Sequence, residues 1–262
     1  MSINPFGVIG SALMLKARDM GEAVGMVKSS FFWITHSKLE FKQTIIQTLR
    51  IGVDSLPVVF LTTFFTGMVL ALQAGSTSKD LFSEPIYIGA LVGFSLVKEL
   101  GPVLTAIVVA GRAGAAITAQ IGTMQVTDQI DALYMLGTNP IRHLVIPRYL
   151  ACLIMIPLLT VFANASGVIG GFLVSNLKLS VPSSTYWNEI FTFMEIGDYM
   201  HGFLKSFAFA FMIATVCCFK GLATRGGAEG VGKATTQAVV ISMVMVLVLD
   251  YFASAILVAI GI

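Results

Sequence analysis

The chain has 262 residues, 56% of them hydrophobic and 11% charged, with a net charge of +2 and a mean hydropathy of +0.87. Soluble domains carry roughly 25% charged residues, so 16 basic and 14 acidic side chains cannot cover a surface of this size. A water-soluble monomer is excluded, and the medium is a bilayer.

In chain order, the first eleven residues lack the basic start and cleavage site of a signal peptide, and the N-terminus reads as mature. Residues 1–43 mix apolar and charged side chains. Phe31, Phe32, Trp33 and Ile34 beside Lys28 and Lys38 predict an interfacial amphipathic helix; the alternative is a cytosolic tail ordered by contact with the rest of the protein. Apolar runs of about 20 residues then predict five spans in a permease domain over 44–262, at 51–74, 85–110, 149–174, 203–219 and 238–262. The fourth is short, so it begins before His201 or crosses a thinned membrane. Residues 176–202, with Pro182, Tyr186, Trp187, Glu189, Glu195 and Asp198, are too polar to span and form the main far-side segment. The fold class is an all-α membrane protein.

Lysine and arginine set the orientation. With a cytoplasmic N-terminus, twelve of the sixteen fall on that side and two, Lys79 and Lys178, on the other, which places the C-terminus in the periplasm. The basic residues are scattered, so no nucleic-acid footprint exists. Five spans cannot form two complete inverted halves, so a central pathway needs a second copy. Gly167 and Gly171, with Ser166 and Gly170 beside them, and Ala106, Ala110 and Gly114 make two small-residue stripes for close helix packing, within one chain or between two.

Between the second and third spans, over 113–147, hydropathy falls while helical periodicity persists. Thr127 suits an N-cap, Asp128 the first turn, Gly137 a C′ position, and Pro140 bars continuation. Ile130, Leu133 and Tyr134 share one face, with Asp128, Gln129 and Asp131 exposed. So short a helix needs a surface to rest on: its own membrane domain, or a groove on a cytosolic partner that moves it as a lever.

Four charges interrupt the spans: Lys98, Glu99, Lys205 and Asp250. Each costs about 2.5–3.5 kcal/mol in hydrocarbon, so they point inward. They form salt bridges that fix helix register, or they line a polar cavity where Lys98 and Lys205 hold a phosphate. Pro102 removes a backbone hydrogen bond beside the pair and predicts a hinge. The run from Gly227 to Lys233 imitates a phosphate loop, but Ala234 stands where Mg²⁺ needs a hydroxyl. It reads as a flexible cytoplasmic turn, with Arg225 and Lys233 near anionic headgroups. His36, His143 and His201 are dispersed and read as ordinary surface or interface histidines. Cys152, Cys217 and Cys218 sit in apolar runs as small buried hydrophobes. No metal site and no catalytic residue is expected.

The run LVKELGPVLTAIVVAGRAGAAITAQIGTMQVTDQIDALYMLGTNPIRHLVIPR over 96–148, with KSFAFAF at 205–211, GVGKATTQAVV at 230–240 and LDYF at 249–252, closely resembles the MlaE (YrbE) permeases, membrane subunits of bacterial lipid-trafficking ABC transporters. The resemblance covers roughly 45–262. It departs at Gln120, where the family usually has Glu, and at Asp128, where Glu is usual. It implies a homodimer in the inner membrane bound to ATPase subunits of the MlaF type, which hold ATP and Mg²⁺. It also implies a STAS-domain regulator of the MlaB type and a hexameric MCE protein of the MlaD type on the periplasmic side. The implied substrate is a glycerophospholipid, the implied role is outer-membrane lipid asymmetry, and 127–137 becomes the ATPase-coupling helix. The chain itself is then a transport subunit and no enzyme. Two rivals stay open: an ion-coupled secondary transporter protonated at Glu99 and Asp250, and a passive scaffold.

Overall fold

A computed structural model describes residues 5–36, 40–82 and 87–261; Lys38 and the predicted start of the second span at Pro85 lie outside them. The described residues form helices α1 (Pro5–His36), α2 (Phe41–Gly52), α3 (Leu56–Phe82), α4 (Ile88–Phe94), α5 (Gly101–Val109) and α6 (Ala115–Val126). They continue as α7 (Gln129–Met135), α8 (Ile146–Leu177), α9 (Ser183–Phe193), α10 (Ile196–Leu222) and α11 (Gly227–Ile260).

Among the described residues, five helical stretches are long and apolar enough to cross a membrane: Phe41–Lys79, Ile88–Val126, Ile141–Leu177, Ile196–Leu222 and Gly227–Ile260. The chain is therefore an all-α, multi-pass membrane protein. The second and third stretches run well past the expected limits at 110 and 149. Most of the region between them is thus a continuation of spanning helices, and α7 alone stands between them.

In the first stretch Pro57, lacking an N–H, cannot bond to Val53, and Val53–Ser55 tightens into a 3₁₀ turn. Its second half, α3, lies along α8. A Cβ on Gly67 would stand 1.9 Å from the Gly167 carbonyl oxygen, and one on Gly170 2.2 Å from that of Phe64, so the Gly167 stripe packs within one chain. Ala106 and Ala110 are buried too. The fourth stretch starts at Ile196 rather than 203 because Glu195 and Asp198 close a capping box across its first turn.

Two apolar clusters fill the bundle. One, nearer α7, joins α5, α6, α8 and α10 around Ile121, Ile156, Phe209 and Ile213. The other joins α3, α4, α8 and α9 around Leu96, Ile88 and Tyr186. Cys152, Cys217 and Cys218 are buried and unbridged. Helix α11 buries only Ala238, Ser242 and Val246, one i, i+4 stripe, and leaves its other faces open. Helix α1 packs near Ile141–Val145 and α10, burying Met26 and exposing Phe31 and Phe32.

Candidate functional site

The polar cluster within the membrane is built on a distortion. Ser95–Leu100 is a π-helical turn, and its extra residue accommodates Pro102, which enters the first turn of α5. The helix is thus widened at the predicted hinge and not broken. The turn places Lys98 and Glu99 on successive positions. Helix α10 approaches it closely: a Cβ on Gly202 would meet the Val97 carbonyl oxygen at 2.0 Å, so glycine is needed there for contact.

One turn beyond Gly202 stands Lys205, wholly enclosed. Its Nζ lies 2.6 Å from Glu99 Oε2 and 3.0 Å from Asp250 Oδ1, and donates to the Lys98 carbonyl at 3.3 Å. Ser254 Oγ, one turn after Asp250, donates to Glu99 Oε1 at 3.2 Å. Lys98 turns the other way, to Asp198 at 2.8 Å. Glu99, Lys205 and Asp250 fall nine to eleven residues from the ends of their helical stretches opposite α7. At 1.5 Å per residue that is about 14–17 Å, roughly half the depth of a 30 Å hydrocarbon core.

Three of the four charges predicted to point inward, Glu99, Lys205 and Asp250, meet at one ammonium, with Ser254 added, although Glu99 keeps 44% of its side chain exposed; Lys98 pairs apart from them with Asp198. The pairing is selective, since Lys205 takes both Glu99 and Asp250 while Lys98 takes Asp198. Lys205 has no face open to a phosphate, so an anion would reach Lys98, whose side chain is 29% exposed. The signal for Asp198 lay in the Glu195-x-x-Asp198 capping pattern. That for Ser254 lay in its i+4 spacing from Asp250. His201 is buried beside this cluster, a correction to its reading as a surface or interface residue. Next to the cluster an apolar groove of about 420 Å³ is lined by Asn164, Val168, Trp187, Phe191, Met200 and Phe203, among others.

At the opposite end, α7 departs from the expected cap. Thr127 is not its N-cap: its hydroxyl donates to the Thr123 carbonyl at 2.8 Å and closes α6. The connection is made by Asp128 in the left-handed region, φ 58°, with no side-chain cap, a conformation that short acidic side chains tolerate. Gln129 Nε2 donates to Thr127 Oγ1 at 3.1 Å. The C-terminus is as expected, with Gly137 at φ 70°. Its N–H donates to the Tyr134 carbonyl and that of Thr138 to the Leu133 carbonyl, both at 3.0 Å, a Schellman closure.

Ile130 is buried in the bundle core and Leu133 packs partly against it; Asp128, Gln129 and Asp131 are exposed. Tyr134 is 60% exposed, Met135 90% and Leu136 78%. Ile130, with Leu133 partly beside it, anchors the helix to its own domain, and three apolar residues project from its end.

The imitation phosphate loop is the first two turns of α11, not a flexible turn. Lys233 pairs with Glu229 one turn back at 2.6 Å, on the surface, and Arg225 is exposed just before the helix. Two contacts escaped the sequence reading. Arg112 sits in a second π turn, Ala110–Gly114. Its guanidinium donates to the Arg50 carbonyl and, at 2.9 Å, to Ser55 Oγ, across the 3₁₀ turn of the first stretch. Gln120 Oε1 accepts from Arg148 Nη2 at 3.1 Å.

Residues 44–256 match the family model for Permease MlaE. A probable ABC transporter permease protein of Rickettsia bellii is 43% identical over 251 residues, 96% of each chain. One from Synechocystis is 38% identical over 224 residues, 86% of this chain and 85% of its own. The intermembrane phospholipid transport system permease protein MlaE of Haemophilus influenzae is 34% identical over 262 residues, the full length of both. With a family match across most of its length and relatives this similar from end to end, the chain belongs to the MlaE permease family.

Proposed function

We propose that this chain is the membrane subunit of an ABC transporter that moves glycerophospholipid between the inner membrane and a periplasmic MCE-protein conduit, and so maintains outer-membrane lipid asymmetry. It works as a homodimer with its N-terminus in the cytoplasm and its C-terminus in the periplasm. The name of the Haemophilus relative supports the substrate class. ATP and Mg²⁺ belong to an ATPase of the MlaF type, with a STAS regulator of the MlaB type beside it and a hexamer of the MlaD type on the far side. The chain is a transport subunit and not an enzyme. Helix α7 is the coupling element: Tyr134, Met135 and Leu136 enter the ATPase, and Ile130 passes the displacement to the bundle.

The observation that carries the reading is Glu99. Its carboxylate sits at mid-membrane depth with 44% of its side chain outside the protein, where lipid contact costs about 2.5–3.5 kcal/mol. A second copy, packed so that the Glu99–Lys205–Asp250 faces of both enclose one cavity, removes that cost. It also gives a phosphate a polar floor at Lys98 and acyl chains the neighbouring apolar groove. A density map of the purified complex tests this: elongated density beside Glu99 at a two-fold axis is expected, and single copies with Glu99 turned to lipid would refute it.

A further inference from the structure

A second polar site lies at the α7 end of the bundle, between α2, α6 and the start of the third spanning stretch. The groove holds about 580 Å³, and no acidic residue lines it. Arg148 lines it with only 5% of its surface exposed, yet no carboxylate pairs with it among the described residues. Its Nη1 donates to the Leu144 carbonyl at 2.7 Å, Nη2 donates to Gln120 Oε1, and the buried Nε has no partner.

Lys98 has a carboxylate at 2.8 Å, Lys205 has two, and Arg112 has Asp54 at 3.6 Å. Arg148, buried as deeply as any but Lys205, has only neutral acceptors, which leave its charge uncompensated in a medium of low dielectric.

The groove supplies further donors. Arg50 lines it and forms no ion pair among the described residues. The nearby acids are engaged: Glu40 meets His143 at 2.7 Å and Asp54 meets Arg112. Gln120 gives its oxygen to Arg148, so its amide nitrogen is left to donate elsewhere. Gln47, 8% exposed, lines the same groove and the adjoining one with no hydrogen bond of its amide to another described residue. Two guanidinium groups and two amides without a carboxylate match a tetrahedral oxyanion, whose oxygens accept from all four.

We propose that this groove binds a phosphate group, presented by a lipid headgroup or free in solution. Its position apart from Lys98 and Glu99, at the other end of the bundle, makes it a separate site, and it does not rest on the transport reading.

The test is calorimetric titration of the full-length chain in maltoside micelles, free of phosphate buffer. The ligands are inorganic phosphate, dihexanoyl phosphatidic acid and the phosphate-free dihexanoylglycerol. Wild type binds a phosphate-bearing ligand and not the diacylglycerol. Gln120→Glu places a carboxylate on Arg148, cancels one of the groove's two guanidinium charges without removing a packed side chain, and weakens binding at least about tenfold. Arg50→Gln, at an exposed position, weakens it as well and serves alone if the first variant does not fold. Within the binding that the two variants weaken, phosphatidic acid at least about tenfold tighter than inorganic phosphate identifies a headgroup site, and equal affinities identify free phosphate; both support the proposal. Absence of binding by either phosphate ligand, diacylglycerol binding as strongly as phosphatidic acid, or unchanged affinity in both variants would overturn it.

Discussion

Lys205 and Glu99 are joined across two spanning helices at 2.6 Å, the lysine wholly enclosed and the glutamate nearly half outside the protein. The inner partner fixes register; the outer one is presented to whatever occupies the adjoining space. Because Asp250 shares the same ammonium, three helices are tied at one atom.

Replacing Lys205 by Met leaves two carboxylates facing each other without a cation. Removing one partner of a buried pair costs about 3–5 kcal/mol, and the exposure of Glu99 puts this case near the low end. The buried cysteines give the readout, because a thiol-reactive dye labels them only on unfolding. The variant's labelling midpoint falls by several degrees, and adding Glu99→Gln recovers part of the loss. An unchanged midpoint would mean the pair does not hold the helices.

Gly67→Ala brings a methyl group against the Gly167 carbonyl oxygen of α8. Backbone cannot yield as a side-chain tip can, and overpacking of this kind costs about 1–3 kcal/mol. The same labelling assay registers the loss. Gly25→Ala, where nothing lies within 4 Å, leaves the midpoint in place or raises it slightly.

Helix α7 separates anchor from tip. Ile130→Ala opens a cavity in the bundle core and costs about 2–4 kcal/mol. Met135→Asp changes stability by less than about 0.5 kcal/mol, because Met135 touches little of its own chain. In a pull-down with the cognate ATPase the order reverses: Met135→Asp lowers recovery at least about tenfold, a loss of about 1.4 kcal/mol or more in binding. Full recovery with Met135→Asp would remove the tip from the interface.

Tyr186, in α9 outside the spanning stretches, donates to the Val168 carbonyl at 3.0 Å, and burial pushes its phenol well above the ordinary tyrosine range. Above pH about 10 the unfolded chain loses this proton while the folded chain keeps it. The folded state then binds more protons, and stability falls as pH rises. Labelling midpoints between pH 9 and 11 decline in wild type and decline less in Tyr186→Phe. Identical slopes would show that Tyr186 does not set the alkaline limit.

The sequence carried the five spans, the all-α class and the inward turn of Lys205 because each rests on local composition: hydrocarbon rejects charge wherever it stands, although Glu99 keeps 44% of its side chain exposed. It did not carry which lysine meets which acid. That depends on Gly202 letting α10 approach the π turn, a relation between residues about a hundred positions apart. The Thr127 cap failed for a local reason, since its hydroxyl had a better acceptor in the preceding helix, which runs unbroken from the second span. The α7 helix read equally well as resting on its own domain or on a partner, and it does the first through Ile130 while leaving Tyr134, Met135 and Leu136 for the second. Arg112 and Arg148 passed as positive-side charges, because nothing in their neighbourhood along the chain shows that they turn inward.

The most direct measurement follows a fluorescent phospholipid in proteoliposomes holding this chain and its cognate ATPase, with ATP, with a non-hydrolysable analogue, and with ATP and Met135→Asp. Coupling through α7 predicts lipid movement in the first condition and none above background in the other two. Movement at full rate without hydrolysis, or under a proton gradient alone, would contradict it.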